Sequence, residues 1–145
     1  MKLSTKGQYG LLAVIDLALN AGNIPIQSFQ IAERQNIPKQ YLDQLLLILK
    51  KSGLIASSRG RQGGYRLARP PQEITLYDVV LVLEGPIEDT KIWQTNSNVE
   101  DSAHTLLSQI WNDMTKHAIK VLKQSTLEDF CESHRRIRDQ LMYHI

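Results

Sequence analysis

The chain has 145 residues, 42% of them hydrophobic and 22% charged, with Lys+Arg 17 against Asp+Glu 15 for a formal net charge of +2. This is the makeup of an ordinary globular protein, long enough for one domain with a helical extension. It lacks the run of about 18 apolar residues that a membrane span needs, so no membrane partner is expected. One cysteine, Cys131, rules out an intrachain disulfide and fits a reducing cytoplasm. The opening Met-Lys-Leu-Ser-Thr-Lys-Gly runs into a helix-period pattern that includes Asp16, and so does not read as a signal peptide.

The charge is unevenly spread. Residues 1–70 carry ten Lys+Arg against three acids (Asp16, Glu33, Asp43), whereas residues 71–145 carry seven against twelve. A basic first part followed by an acidic second part implies that only the first meets a polyanion.

Ser4-Thr5 can cap a first helix running to about Asn20-Ala21-Gly22, with Gly22 as the stop signal. Leu11, Val14, Ile15 and Ala18 form one apolar face and Tyr9, Leu12, Ala13 and Leu19 a second, so the helix is expected to be buried. Asp16 falls on that second face and must reach solvent or find a partner. After the extended Ile24-Pro25-Ile26, Ser28 is expected to cap a short helix ending near Gln35-Asn36. Ile37-Pro38 makes a turn into a helix from about Lys39 to Lys51, with Tyr41, Leu42, Leu45, Leu46, Ile48 and Leu49 on its apolar side.

Two short helices joined by a tight turn, the second amphipathic, form a helix-turn-helix. The second helix presents Lys39, Gln40, Asp43, Gln44 and Leu47 at its start or outer face, and Lys, Gln and Asp can all address base edges. Tyr41 is placed near the nucleic-acid backbone. A generic helical hairpin with a solvated polar face is the alternative. The segment that follows weighs against it.

That segment, ASSRGRQGGYRL over Ala56 to Leu67, packs Arg59, Arg61, Arg66, Gly60, Gly63, Gly64 and Tyr65 into twelve residues. Leu54-Ile55 before it and Tyr65-Arg66-Leu67 after it read as short strands flanking a hairpin loop. Glycines permit backbone conformations and close approaches that other residues resist. Arginines at the tip put planar, permanently charged donors where phosphates or a narrow minor groove could meet them. A solvated turn is the plain alternative for the hairpin taken alone. Directly after a helix-turn-helix, it outlines a winged helix. The expected DNA-contacting set is Lys39, Gln40, Tyr41, Asp43 and Gln44 with Arg59, Gly60, Arg61, Gln62, Gly63, Gly64 and Tyr65.

Pro70-Pro71 then breaks the chain, and Thr75-Leu76-Tyr77-Asp78 starts a helix to about Glu84, stopped by Gly85-Pro86. Residues 87–101 show no periodicity and read as a loop. Ser102 opens a long helix to about Gln124 carrying Leu106, Leu107, Ile110, Trp111, Met114, Ala118, Val121 and Leu122. At about six turns it is longer than a small winged domain needs. A cap on the monomer's own core is one reading, and a two-fold dimer seam through Leu106, Ile110, Met114 and Val121 is the preferred one. Ser125-Thr126 restarts a last helix that contains Phe130, Cys131, Ile137, Leu141 and Met142.

Lys2-Leu3-Ser4-Thr5-Lys6-Gly7, Tyr9, Ile31-Ala32-Glu33-Arg34, Tyr41-Leu42, Gly53-Leu54-Ile55 and, above all, Arg59-Gly60-Arg61-Gln62-Gly63-Gly64-Tyr65-Arg66-Leu67 resemble the IscR/NsrR/CymR family of bacterial winged-helix regulators. The resemblance spans essentially the whole chain. It implies homodimers that bind imperfect palindromic operators and regulate transcription, many of them sensing iron–sulfur status, nitric oxide or cysteine supply. Cluster-binding members carry three cysteines before the long helix. Here residues 85–102 contain none, and position 8, an acidic ligand in some members, is Gln8. Thiolate-held clusters need several Cys, so no cluster, metal or other cofactor is expected.

No other chemistry is specified. His104, His117, His134 and His144 are scattered, and no P-loop, Rossmann loop or nucleophile elbow is present, so no catalytic residue or enzymatic activity is expected. Neighbouring Asp129 and Glu132 raise the Cys131 thiol pKa while Arg135 lowers it, which reads as an inert, semi-buried cysteine.

The expected fold is mainly α with a small β-wing: a winged helix-turn-helix over 1–84, a loop over 85–101 and a helical dimerisation region over 102–145. The expected function is a homodimeric, sequence-specific transcriptional regulator on double-stranded DNA. Its signal would be a small molecule near Trp93 and Trp111, a protein effector, or oxidation of Cys131. A winged-helix protein-interaction module docking an acidic partner is the alternative.

Overall fold

Ser4 opens the first helix, α1 (Thr5–Leu19), its Oγ accepting the Gly7 N–H at 3.1 Å. The computed structural model describes residues 2–87 and 102–144. Over these the chain continues through α2 (Ser28–Gln35), α3 (Lys39–Lys51), β1 (Ile55–Ser58), β2 (Gly64–Leu67), a 3-10 turn at Pro71–Glu73, α4 (Leu76–Glu84), α5 (Ser102–Gln124) and α6 (Leu127–Tyr143). The fold is mainly helical with one two-stranded antiparallel sheet, as the sequence predicts. Trp93 and most of the expected 85–101 loop lie outside the described residues.

Several boundaries differ from the sequence expectation for identifiable reasons. Asn20, not Gly22, ends α1, donating both its backbone N–H (3.0 Å) and its Nδ2 (2.9 Å) to the Asp16 carbonyl. Gln27 occupies the cap position before α2, with Gln30 Oε1 accepting its N–H at 3.0 Å, so Ser28 is already the first helical residue. Asn36 closes α2 in the left-handed conformation (φ 53°), and Pro38 precedes α3. Thr75 and Asp78 form the expected capping box on α4, and Thr126 and Asp129 form a matching one on α6.

The strands are displaced toward the loop relative to the sequence reading. Ile55 pairs with Leu67, Ala56 with Arg66, Ser57 with Tyr65 and Ser58 with Gly64. Ile26, from the extended piece before α2, adds a third pairing: its N–H donates to the Tyr65 carbonyl (2.9 Å) and its carbonyl accepts from Tyr65 N (2.7 Å).

The core is built around α1, whose Ala13, Val14, Ile15, Leu17 and Ala18 are all buried. α2, α3, α4, α6 and β2 all pack on it. At α4 the approach is so close that a Cβ on Gly10 would lie 2.8 Å from Leu83 Cδ2, and one on Gly7 would collide with Glu84. The last helix joins the same core. Leu76 N donates to the Ser125 carbonyl (2.8 Å) and Leu127 N to the Ile74 carbonyl (2.9 Å), seating Leu127 and Cys131 among the buried side chains of α1 and α3. α5 packs on α4 and buries Ile119, a position the apolar series read from the sequence had missed. Among the described residues no helix is long and apolar enough to cross a membrane.

Asp16 is fully buried in α1 and finds its partners on α2. Arg34 donates from Nε to Oδ2 (3.0 Å) and from Nη2 to Oδ1 (2.7 Å), and Gln35 Nε2 donates to Oδ2 at 2.9 Å. The bond to Asp16 is the main cause that raises the Arg34 pKa, against the opposing effect of burial. A fork-on-fork pair of this kind is the strong geometry for a guanidinium and a carboxylate. Removing Arg34 strands a charge in the interior. Arg34→Ala should therefore lower unfolding stability by on the order of 3 kcal/mol in urea titrations. Adding Asp16→Leu should recover part of that loss, because it removes the stranded carboxylate. Equal losses in the single and double variants would contradict this account.

Candidate nucleic-acid interface

Amphipathicity orients α3. Leu42, Leu45, Leu46 and Leu49 are buried in the core, which leaves Gln40, Asp43, Gln44 and Leu47 exposed on the other side. Lys39 Nζ donates to Asp43 Oδ2 at 2.9 Å across one helical turn, so these two hold each other until a ligand competes. Gln40 and Gln44 are four residues apart on the same face, each with an amide able to donate and accept. Tyr41 turns inward and is half-buried, its ring meeting Tyr9 edge-on with centroids 5.7 Å apart.

The wing tip spans residues 59–63 between the two strands. Gly63 N donates to the Gly60 carbonyl at 3.0 Å, closing a turn with Arg61 and Gln62 at its corners. Gly60 adopts φ 109°, a conformation that side chains resist. At Gly63 a Cβ would press on the Ser58 carbonyl and lie 2.9 Å from the Gly60 carbonyl oxygen. Arg59, Gly60, Arg61 and Gln62 are exposed at the tip, while Gly63, Gly64 and Tyr65 are half-buried at its base, where Tyr65 pairs with Ile26.

The helix-turn-helix and the wing are tied to each other. Gln27, at the start of α2, donates from Nε2 to the Arg61 carbonyl in a long hydrogen bond of 3.5 Å. Ile26, one residue earlier, is paired to β2. Sequence reasoning missed Gln27, and only its place beside the Ile24-Pro25-Ile26 strand-like piece hinted at it. Arg66 and Arg69 are also exposed and extend the basic edge beyond the tip.

On α5, Leu106, Ile110, Met114 and Val121 are between 49% and 59% exposed in the single chain. Phe130, Ile137 and Leu141 on α6 are exposed as well. Trp111 is half-buried.

The Rrf2 family model, that of an iron-dependent transcriptional regulator, matches residues 3–133. The chain belongs to the Rrf2 family. It is 34% identical to the HTH-type transcriptional regulator CymR of Bacillus subtilis over 145 residues, covering 100% of both chains. It is 33% identical to the HTH-type transcriptional regulator IscR of Cereibacter sphaeroides, over 94% of this chain and 90% of that one. The solved structure of CymR (YrzC), the global cysteine regulator of B. subtilis, superimposes with a TM-score of 0.80 at 36% identity, over 92% of this chain and 98% of that one. IscR of T. potens gives a TM-score of 0.77 at 37% identity, over 92% and 88% respectively. This Rrf2 protein is accordingly a DNA-binding transcriptional regulator with a winged-helix fold.

The donor set does not fit the iron–sulfur chemistry of cluster-binding relatives. Cys131 is the one thiol in the sequence, and it is 1% exposed inside the core. Among the described residues no three His, Cys, Asp or Glu side chains are grouped to hold a metal. Clusters of the family type require several thiolates.

Burial is the main cause that pushes the Cys131 thiol pKa up, with Glu128 adding to it and Arg135 opposing it. A thiol whose folded pKa is raised stabilises the fold fully below its unfolded value, about 8.5, and that contribution is lost as pH rises through the folded value. Alkylation by iodoacetamide at pH 8 should therefore be at least tenfold slower in the native Rrf2 protein than in urea. Comparable rates in both states would show that Cys131 is accessible.

Proposed function

We propose that this Rrf2 protein acts in the cytoplasm as a homodimer, reading an imperfect palindromic operator with α3 in the major groove and the wing in the adjoining minor groove. The observation that carries the reading is the coupling of two exposed surfaces: Gln40 and Gln44 on α3, and Arg59 and Arg61 on the wing, joined through the Gln27–Arg61 bond and the Ile26–Tyr65 pairing. A polar helix face supplies base-edge readout, and a basic, glycine-flanked tip suits a narrow groove of high negative potential. Lys39 and Asp43 would exchange their mutual ion pair for contacts to DNA, with Tyr41 supporting the helix from behind.

In this reading residues 1–84 form the reading head, 85–101 a connection and 102–145 the assembly region. The exposed stripe Leu106, Ile110, Met114, Val121 is the seam for the second copy, since apolar side chains exposed over so much of one helix mark an interaction surface. Regulation then runs without an iron–sulfur cluster, through a small-molecule or protein effector.

The tests separate head from seam. Gln40→Ala and Gln44→Ala should each relax preference at particular base pairs by ~1–3 kcal/mol, measured by competition among duplexes selected from a random pool. Equal weakening on every duplex would mean contact with phosphate alone. Arg59→Ala should weaken operator binding, and Gly63→Val should do so without altering charge, because the loop has no room for its side chain. Wild-type affinity in both variants would discard the wing assignment. Sedimentation at micromolar concentration should show a dimer, and Ile110→Asp should give monomers or insoluble protein. A monomeric wild type would remove both the seam and the palindrome.

A further inference from the structure

A cleft of about 470 Å³ opens between the C-terminal ends of α1 and α2 and the middle of α6, on side chains that DNA reading does not use. Its charged and polar lining is Asp16, Asn20, Arg34, Gln35, His134, Arg135 and Arg138. The volume is in the usual range for small-molecule sites. We propose that this cleft binds a compact polyanion, a small molecule carrying two or more carboxylate or phosphate groups.

Three guanidinium groups meet one carboxylate here, and that carboxylate is already engaged. Asp16 accepts two hydrogen bonds from Arg34 and one from Gln35, so its charge is answered before any ligand arrives. The same bonds fix the Arg34 guanidinium, leaving three of its five N–H donors uncommitted to Asp16. Across the cleft, Arg135 and Arg138 stand one turn apart on α6, with His134 on the same side. Arg138 has no ion pair among the described residues, and the Arg135 pair with Glu128 is long at 3.4 Å and exposed. The other acids of α6, Asp129, Glu132 and Asp139, are not part of the lining.

A cation array on two facing walls suits a ligand with charge at both ends. Planar guanidinium forks pair bidentately with carboxylate and with phosphate alike. A mono-anion can answer only one wall. A ligand spanning Arg34 and Arg138 would bridge the helix-turn-helix to the last helix, a position from which its occupancy can bias how the reading head sits on the assembly region.

The experiment is calorimetric titration of the full chain, without DNA, using pyrophosphate and citrate as probes and acetate as the mono-anion control. Saturable binding of one probe per chain is expected, with acetate at least tenfold weaker. Preference for pyrophosphate assigns the phosphate class and preference for citrate the carboxylate class. Arg138→Gln should weaken the bound probe at least tenfold. Arg136→Gln, the same charge change on an exposed neighbour outside the lining, should not. Thermal melts of both variants without anion should match wild type, since both side chains are solvated. Absence of saturable binding by either probe would overturn the proposal, as would equal weakening in the two variants, which would indicate general charge screening. Because the titration contains no DNA, its failure would leave the operator reading untouched, and a protein that bound no operator would leave the titration unaffected.

Discussion

The fold rests on a carboxylate in the wrong place for a carboxylate. Asp16 sits in the middle of α1 with no exposure to solvent, among the side chains that make up the core. Its charge is tolerable only because the last turn of α2 delivers Arg34 and Gln35 to it. That requirement fixes one end of α2 against α1. The other end is fixed by Gln27, which reaches the wing, and by Ile26, which pairs with β2. Since α3 follows α2 after a turn in which Asn36 is left-handed, the placement of α3 derives from the same anchor.

What could be read from the sequence was local. Ser4, the Thr75–Asp78 box and Thr126 mark helix starts because each cap is a bond within four residues of itself. The caps at Asn20 and Gln27 were misread although their bonds are also local, and the other differences fall where a distant partner decides. Ala56, Ser57 and Ser58 have little strand preference of their own and are held in β1 by pairing with Gly64, Tyr65 and Arg66. The partner of Asp16 lies 18 residues away and that of Gln27 lies 34 away, and no periodicity points to either. Ile119 was missed because it lies just outside the apolar stripe that the other apolar residues of α5 form. Which of them faces inward depends on where α4 sits, and a single sequence does not carry that. That Arg59 to Gln62 stand exposed at a hairpin tip was legible from composition, whereas the inward turn of Tyr41 onto Tyr9 was not.

The chain shares its scaffold with IscR of T. potens and with CymR, the global cysteine regulator of B. subtilis, and carries a single thiol. A shared scaffold does not carry its relatives' chemistry with it, because chemistry resides in the side chains placed on the fold. Here the sole thiol sits in the core cluster that also holds Leu127 and the buried residues of α1.

The pairing of residues 74–76 with 125–127 also governs when the molecule can exist. Leu127 and Cys131 fill the same core as α1 and α3, so the first four helices do not have their full interior until α6 has been made. At synthesis rates of about 5–20 residues per second, the interval between the end of α4 and the start of α6 is roughly two to nine seconds. During that time the apolar face of α1 lacks its final cover. Translation order itself places completion of the core after the synthesis of α6.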